Sequence, residues 1–185
     1  MDHWAVLKDA ERDQWGYSPH RTIGPLDFGT GRAEAIAVMA EHGFLAEQES
    51  LGRWQLTDRT QWRVRFRKPG RHRSDPAVTC YFIDGAGLTC VLVDGRSGPQ
   101  VTHEGIRLIG RVPSELEQEM VSYAMEHDAG LRCGPGGDLS AATFEIDLST
   151  QRAGDRLVTW ALFCRPGELA GTSFDIAPAE VWRHR

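Results

Sequence analysis

The spacing of apolar and polar positions changes along this chain, and the changes divide it into elements. Residues 2–14 place Trp4, Leu7 and Glu11 at helical spacing, which predicts a short amphipathic helix ended by Gly16, with Tyr17-Ser18-Pro19 as a turn. An extended piece broken by glycine and proline follows, Ile23-Gly24-Pro25-Leu26-Asp27-Phe28-Gly29. Thr30 suits an N-cap and Gly43 a C′ position, so a helix is expected over about 31–42. Ile36, Met39 and Ala40 would face its core side.

Beyond that helix the period falls to two. Trp62-Arg63-Val64-Arg65-Phe66-Arg67 alternates apolar and basic residues without a break. Successive side chains of a strand point to opposite faces. Trp62, Val64 and Phe66 are therefore expected in the core, and Arg63, Arg65 and Arg67 in a cationic row outside it. Residues 77–83 and 88–94 are apolar runs joined by Asp84-Gly85-Ala86-Gly87, which predicts a hairpin. Both runs are apolar on both faces, which places the hairpin centrally in a sheet. Residues 95–100 read as a loop.

A second unit begins at Ile106-Arg107-Leu108-Ile109-Gly110. Ser114 and Glu117 have the spacing of a capping box, and the helix they start should run to about His127 with Leu116, Met120 and Tyr123 inward. A glycine-rich loop follows to Asp138. Strands are expected near 141–148, 156–164 and 172–176, and Pro178 can start a terminal turn carrying Val181 and Trp182. The two units echo one another. Phe28-Gly29, Glu34 and Glu41-His42 in the first correspond to Ile109-Gly110, Glu115 and Glu126-His127 in the second. The expectation is one α+β domain over residues 1–185, with an internal repeat at 20–100 and 101–176. Its two tandem helix-plus-sheet modules would form one extended antiparallel sheet, with helices on one face and the other face free to bind.

Composition narrows the class. A chain of 185 residues with 41% hydrophobic and 25% charged residues is a globular single-domain chain. No stretch approaches the ~20 apolar residues that cross a bilayer, so no membrane is expected as a partner. The start, Met1-Asp2-His3-Trp4-Ala5-Val6-Leu7-Lys8-Asp9, has charges where a signal peptide needs an apolar run, which predicts a cytoplasmic protein. Cys80, Cys90, Cys133 and Cys164 form no Cys-x-x-Cys pair and have no histidine cluster beside them, so no metal site is expected and the thiols should be free. Cys80 and Cys90 could lie nearly opposite across the hairpin.

Charge adds the strongest functional clue. The net charge is −5, yet residues 53–73 carry eight basic side chains (Arg53, Arg59, Arg63, Arg65, Arg67, Lys68, Arg71, Arg73) against the single acid Asp58. That segment holds +7 and the remainder −12. Arginines two apart on a strand stand about 6.6–7 Å from each other, a spacing suited to a succession of carboxylates or phosphates. The plain alternative is a solvated face whose arginines pair with acids on neighbouring strands. The candidate partner-binding set is Arg53, Trp54, Arg63, Arg65, Arg67, Arg71 and Arg73, facing an acidic protein. A nucleic-acid platform needs aromatics beside the arginines, and here Trp62 and Phe66 have the opposite parity, so nucleic acid is not expected.

No catalytic or cofactor signature is present. His3, His20, His42, His72, His103, His127 and His184 are scattered, and the chain has no Gly-x-Ser-x-Gly, His-Glu-x-x-His or phosphate-loop pattern. Gly134-Pro135-Gly136-Gly137-Asp138 lacks the lysine and following helix of a phosphate cradle.

Three strings carry a resemblance: Ile23-Gly24-Pro25-Leu26-Asp27-Phe28-Gly29, Tyr81-Phe82-Ile83-Asp84-Gly85-Ala86-Gly87-Leu88, and Val101-Thr102-His103-Glu104-Gly105-Ile106-Arg107-Leu108-Ile109-Gly110. Over about 23–165 the chain resembles a group of small, mostly actinobacterial cytosolic proteins thought to include immunity proteins for secreted bacterial toxins. It departs from that group at Thr30, where methionine is common. The resemblance implies a protein-binding role and supplies no catalytic residue. The expected function is a non-enzymatic protein-binding module, an immunity-type inhibitor using its basic sheet face. The alternatives are a small-ligand-binding protein or enzyme with a pocket between the modules, and a structural protein that self-associates through the uncovered face.

Overall fold

The computed structural model describes residues 4–53, 59–72, 75–133, 139–141 and 145–165. In chain order the strands and helices are β1 (Gln14–Ser18), β2 (Thr22–Ile23), β3 (Leu26–Asp27), α1 (Arg32–Glu41), β4 (Leu45–Arg53), β5 (Thr60–Arg67), β6 (Val78–Ile83), β7 (Gly87–Val93), β8 (Gln100–His103), β9 (Ile106–Arg107), α2 (Pro113–His127), β10 (Arg132–Cys133), β11 (Leu139–Ala141), β12 (Ile146–Ala153) and β13 (Arg156–Cys164). The fold is α+β. An eight-stranded antiparallel sheet runs β10-β11-β12-β13-β7-β6-β5-β4. A second, five-stranded sheet runs β3-β2-β1-β8-β9.

The second sheet corrects the expectation of a single antiparallel one. Its central pair, β1 with β8, is parallel, with Trp15 opposite Val101. It also replaces the expected N-terminal helix, of which the described residues keep a single 3-10 turn at Asp9–Glu11. Residues 14–18 alternate exposed and buried, with Trp15 and Tyr17 inside. Burying two large aromatics on a strand outweighs the weak helical spacing before them. The strand and turn expected beyond residue 171, and the loop at 134–138, lie outside the described residues.

Both helices end close to the expected places and begin differently. Thr30 does not cap α1, since its Oγ1 donates to Glu34 at 2.8 Å and Gly31 is the N-cap. Gly43 takes a φ of +78°, the left-handed conformation expected after the last turn. Ala35 and Met39 are buried, Ile36 packs partly, and Ala40 points to solvent. In α2 the capping box does not form. Pro113 occupies the first turn and moves the N-cap to Val112, leaving Ser114 inside the helix. Leu116 and Met120 enter the core as expected, joined by Ala124. Tyr123 is only half-buried and stacks on His127, ring centroids 4.1 Å apart.

One face of the large sheet carries Val64, Phe66, Val78, Cys80, Phe82, Val91, Val93, Ile146, Leu148, Ala161 and Phe163. Ala35 and Met39 of α1, Leu116 and Met120 of α2, and Trp15, Tyr17 and Ile23 of the small sheet share that core. The opposite face was expected to be free, and at its centre it is not. Tyr81, Cys90, Trp160, Leu162 and Cys164 form a second buried cluster there, with Leu51 and Leu92 packed against it. Central strands apolar on both faces place apolar surface on each side, and the hydrophobic effect keeps both from water. Among the described residues, no helix is long and apolar enough to cross a membrane.

The 84–87 turn anchors the chain entering α1. Gly29 N–H donates to the Leu88 carbonyl at 2.8 Å, and Leu88 N–H donates to the Thr30 carbonyl at 2.9 Å. Gly87 has φ +75°, and a methyl group on it would overlap the backbone carbonyls of Gly29 and Thr30. Gly87→Ala is expected to lower unfolding free energy by about 2–4 kcal/mol, from strained backbone and forced separation of the two segments. Urea denaturation measures it, and a loss below 0.5 kcal/mol, about the level of a neutral surface change, would contradict this packing.

Candidate partner-binding site

The basic row is built by the alternation of β5. Val64 and Phe66 are fully buried on the helix side, so Arg63, Arg65 and Arg67 project from the other face. β5 lies one strand in from the sheet edge, and the edge strand β4 faces the arginines with acids. Glu49 is opposite Arg63 and Glu47 opposite Arg65. Arg63 Nη2 donates to Glu49 Oε2 at 2.5 Å, while Arg65 Nη1 stands 3.7 Å from the same oxygen. The hydrogen bond from Arg63, with the charges of Arg63 and Arg65, holds the Glu49 carboxyl below its ordinary range. One carboxylate is thus divided between two guanidiniums. The Arg63 side chain is 11% exposed and that of Arg65 33%, so the outward charge of the row shifts toward Arg65.

Arg67 continues the line, and its Nη1 donates to the Arg71 carbonyl at 3.4 Å. Arg71 itself is half-buried in the turn that leaves β5. Arg53 closes β4, paired with Thr60 at the opposite end of the strand pair. Trp54 and Arg73 lie outside the described residues. Arg63, Arg65 and Arg67 therefore form one strip, with Arg71 in the turn beyond it and Arg53 at the far end of the neighbouring strand. Trp62 is turned to the other side. The Arg32 guanidinium sits 3.6 Å over its ring, and its Nε1 donates to Asp84 Oδ1 at 3.1 Å.

Lys68, one residue beyond β5, turns away from the arginine row toward the helix side, as its parity with Val64 and Phe66 requires. Its Nζ contacts Asp13 Oδ2 at 2.8 Å, donates to the His42 carbonyl at 2.8 Å, and stands 4.0 Å over the Phe44 ring. Lys68, Arg71, Leu7, Pro69, Ala77 and Ser97 line a groove of about 580 Å³ at this end of β5. The groove lies beside the N-terminal arm rather than between the two modules. A second concavity, of about 530 Å³, lies along the outer side of α2 and is lined by Glu115, Glu119, Glu126 and Tyr123.

Other chemistry-bearing residues are placed structurally. His103 is buried in β8, its Nδ1 3.4 Å from the Tyr17 carbonyl and its ring against Tyr17. Among the described residues, no group of three or more His, Cys, Asp or Glu side chains is placed to hold a metal ion. Cys80 and Cys90 do not face each other, because Cys80 pairs with Val91 and lies on the helix side of the sheet. The small register irregularity between Tyr81 and Phe82 leaves Cys90 on the opposite side, where it meets Cys164. Comparison of the chain with family models, curated proteins and solved structures gave no match.

Proposed function

We propose that this chain is a non-enzymatic protein-binding module that receives an acidic surface of another protein along the Arg63–Arg65–Arg67 row. The observation that carries this reading is the sharing of Glu49 between Arg63 and Arg65 in a segment whose charge is +7. The strip lies on the flank of the sheet, outside the buried cluster at the centre of that face. Surface charges of this kind steer encounter and set salt dependence, while apolar contacts hold the complex. The resemblance to proteins thought to include toxin-immunity proteins fits an inhibitor role, in which the partner's acidic site would be occluded.

The test pairs wild type with Arg65→Glu/Arg67→Glu. Arg63 is left in place because it holds Glu49. Each immobilised protein is exposed to lysate, and any captured protein is purified and titrated at two salt concentrations. The expected result is an acidic partner whose affinity drops with salt and falls at least tenfold for the variant, with the variant's thermal unfolding unchanged. Equal binding by a folded variant, or an affinity insensitive to salt, would overturn the assignment of this surface.

A second reading, small-ligand binding, is favoured by the groove at the end of the strip. It combines the apolar Leu7, Pro69 and Ala77 with Arg71, Ser97, Lys68 and the carboxylate of Glu11, with Lys68 paired to Asp13, so that Arg71 is the group left to meet a small anion with an apolar body. Thermal-shift screening against organic carboxylates and phosphates distinguishes it from the first reading. Stabilisation abolished by Arg71→Glu would place a ligand there.

A further inference from the structure

We propose that Cys90 and Cys164 are an oxidisable pair that closes into an intramolecular disulfide across the join between β7 and β13. The two residues are directly opposed in the antiparallel register, and their sulfurs are 3.2 Å apart. Arg165 N–H donates to the Thr89 carbonyl at 2.9 Å, whereas Cys164 N–H turns to the Glu145 carbonyl at 3.0 Å. Cys90 and Cys164 are therefore a non-hydrogen-bonded pair, the narrow kind with Cα atoms about 4.5 Å apart. That separation lies inside the range of about 4.4–6.8 Å that disulfides span. An S–S bond of about 2.05 Å requires the sulfurs to approach by roughly 1.2 Å, within reach of small side-chain rotations.

The position gives the bond a consequence. β7 and β13 are the strands through which the block β4–β7 meets the block β10–β13, so their ladder is where the two halves of the large sheet join. The residues are 74 apart in sequence, and a cross-link closing so long a loop removes much freedom from the unfolded chain. Cys80 faces the other layer of the core and is no competitor for either sulfur.

The reaction needs an oxidant, for which a low-molecular-weight disulfide such as oxidised glutathione serves. One protein thiolate attacks a sulfur of the reagent and expels one reagent thiol, leaving a mixed disulfide. The second protein thiolate attacks the protein-side sulfur and expels the other. Two electrons pass to the reagent, and the two thiol protons end on its two reduced halves. Both cysteines are buried, and contact with Cys90 together with burial holds the Cys164 thiol well above its ordinary range. Exchange in the closed fold is therefore slow, and the bond forms during folding or when the end of β13 opens, since Cys164 is its last residue.

The experiment unfolds the full chain, refolds it in oxidised glutathione and in reduced buffer, and compares intact mass, thiol count and peptide maps. The expected result is loss of two hydrogen masses, with Cys90 and Cys164 in one linked peptide pair. Melting temperature should rise by about 5–15 °C over the reduced protein. Cys90→Ala and Cys164→Ala should each abolish the bond, and Cys80→Ala should retain it. A full thiol count after oxidative refolding, or a bond mapped to any other pair, would overturn the proposal.

Discussion

Arg12→Met is expected to lower the unfolding free energy by about 3–5 kcal/mol, a large share of the roughly 5–15 kcal/mol that stabilises an ordinary domain. Arg12 is buried, yet its guanidinium meets carbonyls rather than a carboxylate. Nη1 donates to the Gly98 carbonyl at 2.5 Å, and Nη2 to the carbonyls of Gly95 at 2.7 Å and Arg96 at 3.3 Å. Burial lowers the guanidinium from its ordinary range, while the charges of Asp94 and Asp9 act against that. The same loop is held from its other side by Asp94 Oδ1, which accepts from Arg96 N–H, Ser97 N–H and Ser97 Oγ. Methionine fills similar space but donates nothing, so three carbonyls lose a charged donor in a site poor in water. Arg12→Lys should recover only part of the loss, because one ammonium does not reproduce a planar fork. Chemical denaturation decides the matter, and a methionine variant within 1 kcal/mol of wild type would show that water replaces the fork at little cost.

Gln100→Leu should be comparably damaging, at about 3–5 kcal/mol, from nearly unchanged volume. Gln100 is 1% exposed and uses its amide completely. Nε2 donates to Asp9 Oδ1 at 2.7 Å and to the Ile109 carbonyl at 3.0 Å. Oε1 accepts from the N–H groups of Leu108 at 3.1 Å and Ile109 at 2.9 Å. The side chain thus stands in for a strand where β8 and the 108–109 segment diverge. Leucine strands the Ile109 N–H and carbonyl in an apolar setting and takes a donor from Asp9, while Leu108 N–H keeps its bond to the Val101 carbonyl at 2.9 Å. The variant also has a readout apart from stability. The hydrogen bond from Gln100 is the largest influence holding the Asp9 carboxyl below its ordinary range, followed, against it, by burial and then, with it, by Arg107. In Gln100→Leu the Asp9 titration should move upward, as followed by side-chain NMR. An unmoved Asp9 titration would mean that Arg107, at 2.7 Å, suffices alone.

Both predictions concern polar residues that no periodicity points to. Arg12 and Gln100 are ordinary members of polar stretches, and their roles exist only because residues 9–14, 95–100 and 108–110 meet in space. The edge strand β4 was equally hidden. Leu45-Ala46-Glu47-Gln48-Glu49-Ser50 has no apolar alternation, because an edge strand with much of both faces in water needs none. Glu47 and Glu49 are nonetheless what turn the basic row from a free cationic surface into one partly neutralised.

The alternation of β5, the hairpin at 84–87, the cores of α1 and α2 and the charge asymmetry were legible because each depends on residues close in sequence. A strand period, a positive-φ glycine or a helical apolar stripe is written into a window of about ten residues. The N-terminal arm was misread because its helical spacing rested on few residues, while the parallel pairing of β1 with β8 joins positions 86 apart, Gln14 with Gln100. Parallel neighbours need long connections, so nothing local announces them. Sequence by itself determined an α+β chain with two helices, a central apolar hairpin and a row of arginines on one side of a strand. Tertiary structure alone decided how many sheets there are, that the face opposite the helices is closed at its centre, which acids meet the arginines and which cysteines meet each other. Those outcomes depend on register and on strand order, which are set by the burial of many distant side chains at once rather than by any segment's own preference.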